Sequence, residues 1–225
     1  MAGALASLAA FGVGAGLTAR ISELEYDLQG LDRVGLGATL QQGRATTDVL
    51  AGAMLVKEVS RQIDVTIHAL GILLALPGLL EEGEVIQALS LGAGNTGRMY
   101  DLETDRRIAE FKFIAWQGGP ESIRQNGLFA DVFRLAEADS AKRRQMFVIG
   151  LERPLKFLNG GRVLTSVLSK NAKVSADFFS LYGDRFARVC DYWLTVKERV
   201  ELVDVASLVP SLLGLPSEPE GESAG

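Results

Sequence analysis

Apolar residues between positions 46 and 76 recur with the period of a helix that carries a heptad seam. An apolar residue returns at every seventh position, and a second series fills the intervening fours. This pattern predicts one helix of about 30 residues, ended by Pro77-Gly78. It fits a dimerisation helix, and it equally fits a long helix packed along its own domain. The seam positions are Val49, Val56, Ile63, Leu70, Ala53, Ser60, Ile67 and Leu74.

Two segments lie between the seam helix and the region where apolar residues begin to alternate with polar ones. A short helix is predicted over residues 81–91, because acidic side chains in a first turn interact favourably with the helix dipole. Gly92–Gly97 has the spelling G-x-G-x-x-G. A dinucleotide fingerprint follows a strand and opens a helix. Here the order is the reverse, so we interpret these glycines as a connection.

Residues 98–116 are typical of a β-hairpin. We predict a strand over 98–103, a polar turn at 104–106 and a strand over 107–116. Side chains alternate between the two faces of a strand, so Glu110 and Lys112 must point to the same side. The neighbouring strand brings Asp101 to a register beside them.

The rest of the chain supplies one more core helix and one more core strand. A helix from Pro120 to about Ala138 is followed by Met146–Leu151, a short apolar run typical of a strand buried on both faces. The segment 155–161 is predicted as a loop. After this loop we predict helices over 162–170 and 176–200, and an apolar stretch over 200–209 that fits a strand. In the N-terminal part we predict a helix over 21–28 and a glycine-rich connection over 30–43.

These elements predict an α/β protein with a mixed central sheet. The core is a helix, a mixed sheet, a helix and a strand, with added N-terminal and C-terminal helices. We expect four regions: a helical N-terminal region at 1–80 with the seam helix at 46–76, the core at 81–173, a helical and strand extension packed on the core at 174–215, and a disordered tail at 216–225, which is rich in Pro, Glu, Ser and Gly.

Composition narrows the chemistry that is available. Among 225 residues there is one cysteine, Cys190, and one histidine, His68. These counts exclude an internal disulfide framework, a cysteine-based zinc site and the usual histidine zinc triads. They favour a reducing, cytoplasmic location. Catalysis would therefore depend on carboxylates, Lys or Arg, and an oxygen-binding cation. We expect His68 to be a satisfied core histidine and Cys190 to be a packing residue.

Charge is segregated along the chain. Residues 1–97 carry five basic and ten acidic groups, residues 98–173 carry fourteen and nine, and residues 174–225 carry four and nine. The basic block coincides with the hairpin and the elements after it, as expected if a polyanion approaches there. Ordinary variation of surface charge explains the same numbers. The turn Lys142-Arg143-Arg144 is interpreted as solvated.

The uncharged N-terminal residues 1–19 do not predict a membrane anchor. They consist mostly of Ala and Gly, and no basic residue precedes them. A secretory signal needs a positive start and a more apolar core, and a spanning helix needs roughly 20 predominantly apolar residues. We therefore expect no membrane association, and an anchor at residues 1–19 is the less favoured alternative.

Asp101 and the Glu110-Phe111-Lys112 triplet suggest a metal site. Two carboxylates and a lysine on one sheet face are costly to bury, and a divalent cation would compensate that cost. This Asp and E-x-K pattern, preceded by the acidic helix predicted over 81–91 and followed by a helix and a buried strand, resembles the PD-(D/E)XK nuclease superfamily with its restriction-endonuclease-like fold. The resemblance covers about residues 81–151. A solvated set of ion pairs is the ordinary explanation of an E-x-K triplet alone.

The resemblance implies a role for each matching residue. Asp101 and Glu110 would bind Mg²⁺ or Mn²⁺, and Lys112 would orient or activate the attacking water. An acidic residue upstream often completes the metal site in that family, which points to Glu84, with Glu81 and Glu82 as competitors. On the following helix, Arg124 and Gln125 are candidates for holding the phosphate.

Some positions depart from the family pattern. Tyr100 stands where the family often has Pro, and no first strand is visible before Asp101. Asp105 is a rival for Asp101, although it lies in the turn, and Glu103 is a further acidic neighbour.

Two functions remain open at this point. The first is a metal-dependent nuclease acting on nucleic acid, with DNA favoured over RNA. The second is a non-catalytic interaction or binding module on the same fold, whose partner surface would be the seam helix, for example in a homodimer.

Overall fold

The protein is a mixed α/β structure built around a five-stranded sheet. The computed structural model describes residues 2–12, 17–60, 63–92, 97–114, 116 and 121–213. The predicted disordered tail lies outside these residues, as does most of the glycine-rich connection after Gly92. The chain divides into two compact units, Met1–Asp64 and Val65–Gly225.

The first unit consists of four helices: α1 (Ala2–Gly12), α2 (Leu17–Asp27), α3 (Arg33–Gln42) and α4 (Thr47–Ser60). Helix α1 packs against α4. The prediction of a connection over 30–43 was wrong, because α3 occupies most of it. Asp32 caps this helix by accepting a hydrogen bond from the Gly35 backbone N–H at 2.9 Å. Such a cap stabilises a helix by about 1 kcal/mol and offsets one glycine in its interior.

The seam region forms α4 and a second helix, α5 (Ile63–Leu79); residues 61 and 62 lie outside the described part. Helix α5 continues through Pro77, so the predicted end was wrong by about one residue. The seam residues Leu70 and Leu74 are 51% and 58% exposed. No described helix could span a membrane alone, although α4 and α5 taken together satisfy the length and composition requirement.

The sheet has the order β1-β2-β3-β4-β5. The first three strands are antiparallel, whereas β3, β4 and β5 run parallel. The strands are β1 (Ile86–Leu89), β2 (Leu102–Thr104), β3 (Arg107–Lys112), β4 (Arg143–Val148) and β5 (Glu201–Asp204).

The predicted helix over 81–91 was wrong. Its acidic residues form a turn, in which the Glu84 N–H donates to the Glu81 carbonyl at 3.0 Å and Gly83 has φ of +73°. Strand β1 follows and pairs with β2, which makes it the first strand that was not visible in the sequence. The predicted hairpin is present with shorter strands, and its register pairs Leu102 with Ala109.

Helix α6 (Ser122–Ala136) connects β3 to the parallel strand β4. Strand β4 begins three residues earlier than the predicted run and ends at Val148. The predicted loop over 155–161 was partly wrong, because α7 (Glu152–Leu158) occupies its first half. The C-terminal part contains α8 (Leu164–Leu168), α9 (Ala172–Tyr182), α10 (Val189–Val196) and the 3-10 helices Val205–Ser207 and Pro210–Leu213.

The sheet separates two apolar cores within the second unit. Ile108 of β3 packs with α6 and the C-terminal helices, whereas Ala109 and Phe111 pack with α5 and the first 3-10 helix. This alternation sends even-numbered β3 residues toward α6 and odd-numbered ones toward α5. The predicted shared face of Glu110 and Lys112 is therefore the α6 side.

A buried ion pair joins β3 to the turn before β1. Arg107 Nε donates to Glu84 Oε1 at 2.6 Å, and Thr104 Oγ1 donates to the same oxygen at 2.6 Å. Arg107 Nη1 donates to Gln145 of β4 at 2.9 Å. Burial raises the pKa of Glu84, but the hydrogen bonds from Arg107, the Glu81 N–H and Thr104 outweigh it and lower the pKa to about 2.

We predict that Glu84→Gln lowers the free energy of unfolding at pH 7 by about 3 kcal/mol, because Arg107 would stay buried without its counter-ion. The folded pKa of Glu84 lies below the unfolded value of 4.5. Its contribution is therefore complete above pH 4.5 and is lost as the pH falls toward 2. The variant should show a shallower loss of stability in that range, measured by urea unfolding.

Glu82→Gln is the matched control, since Glu82 is exposed and only two residues away. We expect it to change stability by less than about 0.5 kcal/mol. Equal effects of the two substitutions would contradict a structural role for the Glu84–Arg107 pair.

Candidate functional site

The structure brings Asp101 and Glu110 into direct contact. Asp101 lies immediately before β2 and Glu110 lies in β3, opposite each other in the register that pairs Leu102 with Ala109, and each carboxyl group shifts the pKa of the other. Asp101 is fixed from a second side, because its Oδ2 accepts a hydrogen bond from the Phe111 N–H at 2.9 Å. Two carboxyl groups are therefore held at one point, where the end of β3 meets the start of β2.

Lys112 completes the predicted triplet, and it has a partner that the sequence analysis missed. Its Nζ lies 2.6 Å from Oδ2 of Asp131 in α6. Asp131 is buried and also accepts a hydrogen bond from Arg134 at 2.8 Å. An available signal was the single acid in the apolar run Phe129–Phe133, since a buried carboxylate needs a cation.

The one histidine of the chain also reaches this site. His68 Nε2 lies 3.3 Å from Oδ1 of Asp101, and the His68 ring packs edge-on against Phe113 with 5.7 Å between ring centroids. The sequence analysis expected a satisfied core histidine. The partner that satisfies it is a candidate catalytic residue, which places His68 at the border of the site.

The electrostatics of the cluster follow from burial and crowding. Burial, together with the charges of Asp131 and Asp101, raises the pKa of Glu110 to about 9 despite the nearby Lys112. Burial also raises the pKa of Asp101, but the hydrogen bonds from His68 and the Phe111 N–H outweigh it and lower the pKa. Of the two carboxyl groups, Glu110 is therefore the one whose ionised form is disfavoured.

Lys112 is charged in this environment. Burial works to lower its pKa, but Asp131, Glu110 and Asp101 outweigh burial and raise it. A lysine whose pKa is raised is an ammonium group at neutral pH. It can donate hydrogen bonds and offer charge, but it cannot remove a proton from water.

The structure does not bring Glu84 to the carboxyl pair. Glu84 is bound to Arg107, an odd-numbered β3 residue, whereas Glu110 points to the opposite face of the sheet. Glu81, an alternative candidate for the third metal ligand, lies 3.2 Å from Arg106. Glu82, the other alternative, is exposed. The rival Asp105 accepts a hydrogen bond from the Val85 N–H at 2.9 Å.

Arg124 and Gln125 also have other partners. Arg124 lies 3.6 Å from a Glu121 carboxylate oxygen, and Gln125 accepts a hydrogen bond from Arg162. Neither residue lines the large cleft that borders Lys112. Their predicted contact with substrate therefore stays a prediction.

A cleft of about 860 Å³ opens beside Lys112 and Asp131. Its walls come from α6, from α8 and from the segment that follows α8. We call it the α6/α8 cleft. The described residues that line it are Lys112, Ser122, Ile123, Asn126, Gly127, Ala130, Asp131, Arg134, Arg162, Ser166, Ser169, Lys170 and Asn171.

The side chains of the site can be compared with the ligands that a divalent cation requires. Among the described residues, no group of three or more His, Cys, Asp and Glu side chains is arranged to hold a metal ion. Mg²⁺, however, is commonly bound by one or two carboxylates and keeps several water ligands. Two neighbouring carboxyl groups, one of them with a raised pKa, fit this requirement, since a cation could take the place of its proton. Asp101 and Glu110 would hold it.

Comparison of the chain with protein-family models, with curated proteins and with solved structures gives no match. Membership of the PD-(D/E)XK superfamily therefore stays a prediction. The contact between Asp101 and Glu110, beside Lys112, is the observation on which a functional conclusion must depend.

We predict that Glu110→Gln raises the free energy of unfolding at pH 7 by about 1–3 kcal/mol in EDTA. The folded pKa of Glu110 is about 9 and the unfolded value is 4.5, so the wild-type protein loses stability as the pH rises between them. A glutamine needs no proton and keeps a hydrogen bond to Asp101. The gain should vanish near pH 4, as measured by urea unfolding.

Glu103→Gln serves as the control, because Glu103 is half-exposed and pairs with Lys142 at 2.8 Å. It should change stability by less than about 1 kcal/mol. A loss of stability in Glu110→Gln, equal at pH 4 and pH 7, would show that the carboxyl pair is not strained.

Proposed function

We propose that this protein is a metal-dependent phosphodiesterase that cleaves nucleic acid, with DNA the favoured substrate. The observation that carries the proposal is the direct contact of Asp101 with Glu110, next to Lys112 on the same sheet face. Like-charged groups are rarely held together inside a protein unless function requires it, and strongly perturbed carboxyl groups cluster at active sites.

The order of elements supports the same proposal. Helix α5 precedes three antiparallel strands, and α6 then leads to a strand parallel to β3. The hairpin, the helix and the parallel strand follow the order that the resemblance implies for a restriction-endonuclease-like core, whereas the acidic helix expected over 81–91 is a turn and α5 precedes it. Strand β1 fills the place where the sequence showed no strand.

Each residue of the cluster has a separate task in this proposal. Bound Mg²⁺ or Mn²⁺ would neutralise phosphate charge and lower the pKa of a coordinated water. Asp101 and Glu110 hold the cation. Lys112, as an ammonium group, donates a hydrogen bond to the attacking water or to a phosphate oxygen and stabilises the charge that develops there.

Two further residues act through these three. Asp131 fixes Lys112 at the α6 side of the sheet, which limits the positions its ammonium group can take. His68 and the Phe111 N–H hold the Asp101 carboxylate from the other side. Both are positioning residues, since they touch a catalytic residue and not the reacting phosphate.

A second candidate is a non-catalytic interaction module, and one observation favours it. The apolar seam is largely exposed on α5, with Ile67, Leu70 and Leu74 at 38%, 51% and 58% exposure. A homodimer through residues 46–76 would cover such a face. This candidate needs no cation and predicts that variants at the carboxyl pair leave the function intact.

We predict that Lys112→Ala and Asp101→Asn each lower the rate of DNA cleavage in Mn²⁺ by about 100-fold or more, as expected for the loss of one charge-stabilising or metal-binding group. Cleavage is measured on plasmid, on single-stranded DNA and on RNA of matched sequence. Lys142→Ala is the control, because Lys142 is a basic residue outside the cluster, and it should cleave like the wild type.

Calorimetry with Mn²⁺ completes this test. The wild type should bind the ion, and Asp101→Asn should not. If the wild type shows neither cleavage nor Mn²⁺ binding, the nuclease proposal is wrong and the interaction module remains.

A double-mutant cycle tests the Lys112–Asp131 pair. We predict that Asp131→Asn lowers kcat by about 10-fold, because Lys112 loses its fixed position, and leaves KM nearly unchanged. In a Lys112→Ala background the same substitution should have almost no further effect, since coupled residues are not additive. Additive losses would assign Asp131 a role independent of Lys112. Asp139→Asn, on an exposed segment after α6, is the control.

A further inference from the structure

The α6/α8 cleft is lined by more basic than acidic side chains. Among its described lining residues four are basic, Lys112, Arg134, Arg162 and Lys170, and Asp131 is the one carboxylate. Asp131 is already in contact with Lys112 at 2.6 Å and with Arg134 at 2.8 Å. Asp131 can balance one of these two cations, so three positive charges remain in excess, two of them on Arg162 and Lys170.

Neither of these two residues is neutralised in the part of the chain that the structure describes. Arg162 donates a hydrogen bond to the side-chain oxygen of Gln125, which is neutral. Lys170 follows α8 directly and lies at the cleft wall. A concave surface with two uncompensated cations attracts an anion, and its shape strengthens the field inside it.

A second cleft, which Arg134 also lines, carries more acidic than basic side chains. It has a volume of about 470 Å³ and contains three acids, Glu137, Asp139 and Asp177, against the two basic residues Arg134 and Lys173. A polyanion is therefore favoured on the α6/α8 side of the carboxyl pair and disfavoured on the Tyr100 side. The site is approached from one direction.

The neutral lining indicates which part of a nucleic acid the cleft would contact. It consists largely of hydroxyl and amide groups, from Ser122, Ser166, Ser169, Asn126 and Asn171, and none of the described lining residues is aromatic. Such side chains, with Arg and Lys, bind phosphate and sugar. Base recognition on single strands uses aromatic stacking platforms, which this lining does not offer.

We infer that the α6/α8 cleft binds the sugar-phosphate backbone of single-stranded nucleic acid, with Arg162 and Lys170 on phosphates that precede or follow the one at the carboxyl pair. This inference rests on the proposed function for the identity of the anion. A volume of about 860 Å³ is the scale of a small-molecule pocket, which fits a segment of one strand better than the width of a duplex.

The same contacts predict weak dependence on base sequence and strong dependence on salt. Each phosphate neutralised on a single strand contributes about 0.7 to the slope of log affinity against log salt concentration. Oligo-dT and oligo-dA should therefore bind within a few-fold of each other, and both should be released by moderate salt.

The test measures binding without cleavage. Fluorescein-labelled oligo-dT is titrated with the full chain in EDTA, over a series of NaCl concentrations, and anisotropy gives the affinity. The double variant Arg162→Ala/Lys170→Ala should bind at least 10-fold more weakly at low salt. Its salt slope should fall by about 1.4, the value for two phosphate contacts.

Two variants serve as controls. Lys173→Ala removes a basic residue that is 86% exposed, pairs with Asp177 and lies in the acidic cleft; it should bind like the wild type. The charge-conserving Arg162→Lys/Lys170→Arg should keep the wild-type salt slope. If the alanine double variant does not fold, the single variant Lys170→Gln decides the test, because Lys170 is exposed and its loss should lower the salt slope by about 0.7.

The outcomes separate this inference from the proposed function. Wild-type affinity in the alanine variant, tighter binding of a duplex of equal length, or equal competition by inorganic phosphate or dTMP would each overturn the inference. Loss of oligo-dT binding in that variant supports the cleft, even if no preparation cleaves DNA in Mn²⁺. In that case the nuclease proposal alone fails.

Discussion

The burial of ionisable side chains on β3 is the constraint on which the second unit depends. Arg107 is 2% exposed and Glu110 is 6% exposed, and they point to opposite faces of the central strand. A buried charge or a buried neutral carboxyl group costs free energy when it has no partner, so each of these residues fixes the element that supplies its partner. Arg107 fixes the turn before β1 through Glu84, and Glu110 and Lys112 fix the start of β2 and one face of α6.

The two ends of β3 differ in how well their charges are matched. At the Arg107 end, opposite charges and several hydrogen bonds lower the pKa of Glu84 to about 2, although burial alone would raise it. At the Glu110 end, burial and two neighbouring carboxylates raise the pKa to about 9. The first arrangement stabilises the fold, whereas the second reduces stability at neutral pH. Proteins retain such unfavourable groups mainly where binding or catalysis needs them.

Alternation along β3 was sufficient to predict the carboxyl pair and Lys112, since strand geometry alone puts Glu110 and Lys112 on one face. Strand β1 was missed because Glu81, Glu82 and Glu84 also suit a helix start, and a four-residue apolar strand has too little periodicity to outweigh them. Asp131 and His68 were missed for another reason: each lies on a helix, and only the packing of α6 and α5 on the sheet determines which strand residue it meets. The same packing determines that Arg162, and not Arg124, lines the cleft beside Lys112.

The double pairing of Asp131 connects the carboxyl pair to the α6/α8 cleft. Asp131 contacts two cations, Lys112 and Arg134, and only Lys112 lies on β3 next to Glu110. If a phosphate draws Lys112 away, Asp131 keeps Arg134 and is not left as an unpaired buried charge. The lysine can therefore change partner at little energetic cost, because the helix that holds it in the absence of ligand also carries the replacement cation. In the proposed mechanism, an aspartate paired with a lysine alone would become an unpaired buried charge whenever that lysine turned to a phosphate, whereas Arg134 prevents this here.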